Sequence, residues 1–122
     1  MASTAISILV VDDDRPVLLT VQEIVEELGH RCFAADSMSM AFEIAAHHLI
    51  QAAIMDMHLG DATGLETLRR LRRLYSPLDC VLMSGDFTQE IRREAEQLGV
   101  RGVLEKPLDL ENVRTAVRAL AS

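Results

Sequence analysis

The stretch that decides the fold is Ala52 to Gly64, which reads AAIMDMHLGDATG. Its first four residues, 52–55, are apolar, and they lead into Asp56 and a loop that contains two glycines. A short apolar run bounded by turn residues predicts a strand that is buried on both faces. Asp56 then lies at the carboxyl end of this strand, where open α/β sheets keep their ligand crevices. Taken alone, the stretch equally allows Asp56 to be only the first residue of a turn.

Outward from this stretch, strands and helices alternate along the chain. Apolar runs predict five strands, at 6–11, 31–35, 52–56, 79–83 and 101–104. Apolar residues at helical spacing predict helices at 15–28, 37–48, 87–98 and 108–120, and one that opens at the capping box Thr63-Gly-Leu-Glu66. We expect Gly29 and Gly99 to end the first and fourth helices. We expect Leu110 to face inward in the fifth helix, and Arg72 to face mostly outward with the other arginines of the third. Five βα units predict one α/β domain over residues 1–122. We expect a (βα)5 flavodoxin-like, doubly wound, five-stranded parallel sheet with strand order 2-1-3-4-5.

The composition excludes several classes of protein. The 122 residues are 49% hydrophobic and 25% charged, and the formal net charge of −7 disfavours direct binding to nucleic acid through its phosphates. Cys32 and Cys80 are isolated and match no metal-binding spacing, so we interpret them as small apolar residues of a reduced, intracellular protein. No apolar run is long enough to span a membrane. We therefore expect a cytoplasmic domain without membrane attachment.

Three adjacent carboxylates follow the first predicted strand. Asp14 fits a helix N-cap, with Pro16 early in the first turn. A solvated loop with a helix cap does not explain Asp12 and Asp13, because like charges repel one another directly after a buried strand. A bound cation would explain them.

Four of the five predicted strands end in groups that could share one crevice. These groups are Asp12 and Asp13, Asp56, Ser84 and Lys106. The three carboxylates carry roughly −3 at neutral pH, and one Mg²⁺ together with Lys106 would bring the total to about zero. A carboxylate can act as a nucleophile and form an aspartyl phosphate. Asp56 is then the natural nucleophile, with Mg²⁺ beside it and Lys106 and Ser84 contacting the phosphoryl oxygens.

These motifs together resemble the receiver domain of bacterial response regulators, the phosphoacceptor domain of two-component systems. They are VVDDD from Val10, MDMHLGDATG from Met55, the pair Ser84-Gly85 and the pair Lys106-Pro107. The resemblance covers essentially the whole chain. It implies that Asp56 is phosphorylated by a phosphohistidine of a sensor histidine kinase or of a histidine phosphotransfer protein.

The resemblance also implies roles for the neighbouring residues. Mg²⁺ would be held by Asp13, Asp56, the backbone carbonyl of His58 and, through water, Asp12. Ser84 would replace the switch Thr or Ser, and Lys106 would bind the phosphate. Phosphorylation would shift the surroundings of Ser84 and the fourth helix. The face of the fourth helix, fifth strand and fifth helix would contact an effector or a second copy in a homodimer. Such a domain is not an enzyme, and at most assists its own phosphorylation and dephosphorylation.

Two positions depart from the family's pattern. Gly60 stands where Pro is usual, and Val103 stands three residues before Lys106, where Tyr or Phe is common, so the usual aromatic switch is missing. Two alternatives remain open: a degenerate receiver that acts as a scaffold, and a small Mg²⁺-dependent phosphatase that forms an aspartyl phosphate. No effector domain follows Ser122, so we expect either a stand-alone receiver or one excised from a larger regulator or hybrid kinase.

Overall fold

The computed structural model describes residues 4–60, 62–75 and 77–122, which form one parallel sheet with helices on both faces. The strands are β1 (Ser7–Val11), β2 (Arg31–Ala35), β3 (Ala52–Asp56), β4 (Asp79–Ser84) and β5 (Gly102–Glu105). The helices are α1 (Arg15–Glu27), α2 (Met38–His47), α3 (Gly64–Leu74), α4 (Gln89–Gln97) and α5 (Leu110–Ala121). The strand order β2-β1-β3-β4-β5 confirms the predicted flavodoxin-like fold.

Two helices begin two residues later than predicted, because side-chain caps set their first turns. The Thr88 hydroxyl accepts the N–H of Ile91, so α4 begins at Gln89 rather than at residue 87. The Asp109 carboxylate accepts two N–H groups of the next turn, so α5 begins after it. Short polar side chains in the extended conformation before a helix make these caps.

Glycines end two helices, as the sequence predicts. Gly29 has φ of 90° and Gly99 has φ of 64°, in the left-handed region that glycine enters without steric cost. After each glycine the next N–H reaches back to a carbonyl of the last turn, from His30 to Val25 and from Val100 to Ala95. This pattern is a Schellman motif, and it turns the chain sharply toward the following strand.

The sheet separates two aliphatic layers. Side chains alternate between the faces of each strand, so Leu9 and Met55 pack under α2, α3 and α4, whereas Val10 and Ile54 pack under α1 and α5. Every residue of β1 and β3 is buried. Polar groups are therefore displaced to the ends of the strands, where the candidate site lies. No helix within the described parts of the chain has the length and apolar character needed to cross a bilayer.

Two side chains on helices face the other way from the prediction. Leu110, predicted to face inward, is 46% exposed because it opens α5 ahead of the buried residues Val113 and Val117. Arg72, predicted to face mostly outward with the other arginines of α3, is half-buried, because its guanidinium bonds to backbone carbonyls.

Candidate functional site

Strand register brings two of the predicted carboxylates side by side. Val11 pairs with Met55 in the parallel register of β1 and β3, so Asp12 and Asp56 emerge next to each other at the carboxyl edge of the sheet. The N–H of Asp12 donates to the carbonyl of Ala35 at 3.1 Å, which continues the ladder past the end of β1. Both carboxylates therefore stand on rigid strand ends rather than on mobile loops.

The third carboxylate completes an acidic cluster. Oxygens of Asp12, Asp13 and Asp56 all lie within 4.8 Å of one another. Asp12 is fully buried and Asp56 is 4% exposed, whereas Asp13 is exposed. Like charges at this spacing repel, and the repulsion is strongest for the buried pair, which water screens least. The three carboxylates predicted at the ends of the first and third strands therefore lie together.

Lys106 lies against this cluster from the end of β5. Its N–H donates to the carbonyl of Ser84 at 2.8 Å, which extends the β4–β5 ladder and fixes its backbone. Its ammonium Nζ lies 2.8 Å from Asp12 Oδ2 and 3.2 Å from Asp56 Oδ2. The ammonium thus bridges the two buried carboxylates and offsets one of their charges.

Burial and neighbouring charges shift the pKa values of Asp12 and Lys106. Burial raises the pKa of Asp12, while the Lys106 ammonium and the Asp14 N–H oppose the rise and the Asp56 carboxylate adds to it. Burial alone would lower the pKa of Lys106, but Asp12 and Asp56 outweigh it, and the pKa of Lys106 is raised. Lys106 therefore remains charged at neutral pH.

Asp14 does not cap α1 with its side chain, contrary to the prediction. It occupies the N-cap position, but its carboxylate makes no capping hydrogen bond. Instead its N–H donates to Asp12 Oδ1 at 2.8 Å. The turn is thus closed around Asp12, whose second oxygen contacts Lys106. Both oxygens of Asp12 are engaged, which leaves Asp13 as the open carboxylate of the cluster.

The acidic cluster fits a divalent cation of the Mg²⁺ kind. Its donors are all carboxylate oxygens, the ligands that hard cations prefer. The three carboxylates exceed the single Lys106 charge, so one divalent cation would bring the cluster near neutrality. The loop at Gly60 comes close to the same place, since a Cβ built there would lie 3.8 Å from Asp13 Oδ2. The carboxylate donors, their excess negative charge and the nearby loop at Gly60 therefore all suit a divalent cation.

Ser84 is buried at the end of β4, but its hydroxyl is turned toward the following loop. The hydroxyl donates to the carbonyl of Asp86 at 3.0 Å and accepts the N–H of the same residue at 3.1 Å. Ser84 is thus near the cluster through its backbone, which bonds to Lys106, while its side chain closes the turn that leads to α4.

His58 lies in the loop after Asp56, with its side chain exposed. Its N–H donates to Asp56 Oδ1 at 3.3 Å, and an isolated antiparallel bridge pairs it with Thr63. The bridge closes the loop between β3 and α3. Asp56 thereby has one oxygen on the His58 N–H and the other on the Lys106 ammonium.

Gly64 is a site residue whose importance the sequence analysis missed. It is buried at the first turn of α3, and a Cβ built there would lie 2.3 Å from the carbonyl oxygen of Asp56. Its N–H donates to the carbonyl of Met57 at 3.0 Å. The available signal was a glycine placed one residue inside a capping box, since glycine lowers helix stability there.

The family model named "Response regulator receiver domain" matches residues 8–118. The chain therefore belongs to the response regulator receiver domains, the signalling modules of two-component and phosphorelay systems. This membership confirms the resemblance carried by the motifs at the strand ends. It also argues against the phosphatase alternative, which belongs to another class of protein.

Relatives of known name differ widely in length. The chain is 31% identical over 106 residues to the sensory/regulatory protein RpfC of Xanthomonas campestris, covering 82% of this chain and 14% of RpfC. It is 24% identical over 111 residues to sporulation initiation phosphotransferase F of Bacillus subtilis, covering 91% of this chain and 90% of that protein. The chain thus spans a small part of one relative and most of another.

Solved structures share the fold. The chemotaxis protein CheY4 of Vibrio cholerae superposes with a TM-score of 0.88 at 20% identity, covering 96% of this chain and 99% of CheY4. The signal receiver domain of an HD domain-containing protein from Pseudomonas fluorescens gives 0.87 at 24% identity, covering 96% and 94%. At these identities the likeness supports the fold alone.

Proposed function

We propose that this domain accepts a phosphoryl group on Asp56 from a phosphohistidine of a sensor histidine kinase or histidine phosphotransfer protein, with Mg²⁺ as cofactor. The observation that carries the proposal is the surroundings of the Asp56 carboxylate. It is buried, it lies 3.2 Å from the Lys106 ammonium, and two further carboxylates stand within 4.8 Å of it. A degenerate scaffold would have no need to keep this costly set together.

In the proposed transfer, a carboxylate oxygen of Asp56 attacks the phosphorus and the P–N bond to the donor imidazole breaks. The leaving nitrogen keeps the bonding electron pair and takes up a proton, and Asp56 becomes an acyl phosphate. The Lys106 ammonium already contacts the Asp56 carboxylate and is placed to contact the oxygens of the incoming phosphoryl group. Fixed charges of this kind act without reorganisation at the moment of reaction.

Asp13, Asp56 and the backbone carbonyl of His58 would hold Mg²⁺ directly, and Asp12 would reach it through water. The Asp12 carboxylate is held in place by the Asp14 N–H and the Lys106 ammonium. Bound Mg²⁺ supplies positive charge that neutralises the carboxylates and the phosphoryl oxygens. Asp56 and Lys106 provide the nucleophile and the fixed cation.

Mg²⁺ is expected to raise the melting temperature of the unphosphorylated protein. A ligand that binds only the folded state stabilises it by mass action, about 2.7 kcal/mol when the ligand is at a hundred times its Kd. Asp13→Ala should lose most of this Mg²⁺-dependent rise, because Asp13 is the open carboxylate of the cluster. Thermal melts with and without Mg²⁺ check this, with Asp79→Ala, an exposed carboxylate at the opposite end of the sheet, as the control. An undiminished rise in Asp13→Ala would place the ion elsewhere.

A groove beside Lys106 supports docking of a phosphodonor protein. It has a volume of about 590 Å³ and lies between the start of α1 and the β5–α5 connection. Pro16, Val17, Leu108 and the exposed Leu110 line it, next to the Lys106 side chain. Leu110 was predicted to face inward, but it faces outward and gives the groove an apolar wall near Lys106.

The proposed output begins at Ser84. A phosphoryl group on Asp56 would draw the Ser84 hydroxyl away from Asp86, and the freed loop would move the start of α4. Val103 is 36% exposed on the outer strand β5 and provides no aromatic ring to follow this movement. The output would therefore pass through α4 itself to a homodimer or an effector on the face of α4, β5 and α5.

The proposed function is tested by direct phosphorylation with a small P–N donor, phosphoramidate, which mimics phosphohistidine. Intact mass should show one added phosphate in the presence of Mg²⁺ and none when a chelator removes the ion. Hydroxylamine should release the phosphate, because it cleaves acyl phosphates and leaves phosphate esters intact. Phosphate that survives hydroxylamine would not be an acyl phosphate and would contradict the proposal.

A further inference from the structure

Helix α4 is weakly anchored compared with its neighbours. Its sequence QEIRREAEQ has one buried residue, Ala95, with Ile91 and Leu98 half-buried around it. Its last turn contains no basic residue to interact with the negative end of the helix dipole. The helix that would carry the output therefore depends on contacts from outside its own sequence.

Arg72 of α3 supplies the missing cation at that end. Its guanidinium Nη1 donates to the carbonyl of Leu98, the C-cap residue of α4. Nε and Nη2 both donate to the carbonyl of Leu78, at 3.1 and 2.8 Å, which fixes the plane of the group. A planar fork with several donors suits this double attachment in a way that a lysine ammonium does not. Arg72 thus caps α4 from another helix, 26 residues away.

A second contact joins the two helices further along. Arg69 lies 3.4 Å from Glu94, but both side chains are more than 40% exposed, so this ion pair contributes little. The half-buried Arg72 has carbonyl partners that water does not replace easily. Of the two arginines, Arg72 therefore makes the stronger contact with the C-terminal end of α4.

The N-terminal end of α3 packs against the backbone of Asp56. Gly64 approaches the Asp56 carbonyl so closely that no side chain fits between them. Between Gly64 and Arg72, the residues Thr67, Leu68 and Leu71 are buried, so α3 is packed along its length against the sheet. A movement of the Asp56 backbone would therefore displace α3 as a whole, because packed elements transmit strain.

We propose that Arg72 is a positioning residue that holds the C-terminus of α4, and that α3 thereby links the backbone of Asp56 to the far end of α4. This link is separate from the Ser84–Asp86 turn, which precedes the N-terminus of α4, whereas Arg72 contacts the C-terminus of α4. The second half of the proposal, the link from Asp56 through α3, rests on the proposed phosphorylation of Asp56. The first half, the capping of α4 by Arg72, concerns the unphosphorylated protein and stands by itself.

Amide hydrogen exchange tests the first half in the unphosphorylated protein. In Arg72→Gln, the amides of Leu98, Gly99 and Val100, which close the α4 C-terminus, should exchange about tenfold faster than in the parent. Arg73→Gln removes the same charge from an exposed neighbour and should leave these amides unchanged. Arg72→Lys, which keeps the charge but loses the fork, should give an intermediate rate. If Arg72→Gln does not fold, the exchange rates of Arg72→Lys are compared with those of the parent instead. Unchanged exchange in both Arg72 variants would overturn the capping role.

Beryllofluoride with Mg²⁺, a stable mimic of the phosphoryl group, tests the second half. In the parent, amide chemical shifts should change both at 84–88 and at 97–100. In Arg72→Gln, the changes at 97–100 should fall at least by half while those at 84–88 persist. Equal changes at 97–100 in the two proteins would overturn the link through α3. If the parent shows no change near Asp56, the proposed function is wrong, the link fails with it, and the exchange result alone decides the capping role.

Discussion

Lys106→Ala is expected to slow the phosphorylation of Asp56 by about 10²–10³-fold. Among the described residues, Lys106 is the cation that contacts both buried carboxylates, at 2.8 Å from Asp12 and 3.2 Å from Asp56. Its loss leaves the carboxylates unneutralised and removes the group that would meet the negative oxygens of the phosphoryl donor. The rate of mass increase with phosphoramidate and saturating Mg²⁺ measures the effect.

The control for Lys106→Ala must remove a positive charge elsewhere. Arg118→Ala does so from the exposed face of α5 and should keep the parent rate. Lys106→Ala should also lower the free energy of unfolding, because Asp12 is left buried without its counter-charge. The rate is therefore compared at a temperature at which both variants are folded. A Lys106→Ala rate within a few-fold of the control would remove Lys106 from the mechanism.

Gly64→Ala is expected to destabilise the folded protein. At an ordinary helix position this change stabilises, since Ala has the better helix propensity by about 1 kcal/mol. Here the added Cβ would meet the Asp56 carbonyl oxygen at 2.3 Å, and that oxygen belongs to the backbone of a buried strand that cannot move aside cheaply. Steric overpacking of this kind costs about 1–3 kcal/mol and reverses the sign. After the propensity gain is subtracted, we expect the free energy of unfolding measured with urea to fall by about 1–2 kcal/mol.

Gly60→Ala provides the matched comparison for Gly64→Ala. It lies in the same loop, and the nearest atom to its added Cβ is Asp13 Oδ2, at 3.8 Å, an ordinary contact. Its effect on the free energy of unfolding should stay within about 0.5 kcal/mol. If the two variants unfold at the same urea concentration, the close approach of α3 to Asp56 is not rigid, and the α3 link to α4 loses its starting point.

Much of the fold follows from patterns local to the sequence. Apolar runs of four to six residues alternate with helical periodicity, and this alternation specifies a parallel sheet. In such a sheet the carboxyl ends of the strands lie at one edge. The sequence alone therefore predicts that Asp12, Asp56 and Lys106 lie close together, as they do in the structure. The prediction worked here because the site is built from backbone positions that the strand register fixes.

Other features depend on distances that the sequence does not contain. Arg72 belongs to a run of arginines whose pattern indicates a charged outer face, and its carbonyl partners come from segments later in the chain. Asp14 sits where a cap is usual, but the competing bond from its N–H to Asp12 is a property of the folded turn. The role of Gly64 lies in one steric contact with Asp56. Each involves a tertiary contact that overrides a local preference.

Asp56 is identified as the acceptor by locating the added phosphate in the sequence. After phosphorylation with phosphoramidate and Mg²⁺, borohydride reduces the acyl phosphate of an aspartate to the alcohol of homoserine, which peptide mass spectrometry assigns to one position. We expect homoserine at position 56 in the parent and no added phosphate in Asp56→Asn. Asp86→Asn, which changes an exposed carboxylate in the next loop, should be modified like the parent. Homoserine at position 12 or 13, or undiminished phosphate in Asp56→Asn, would contradict the assignment to Asp56.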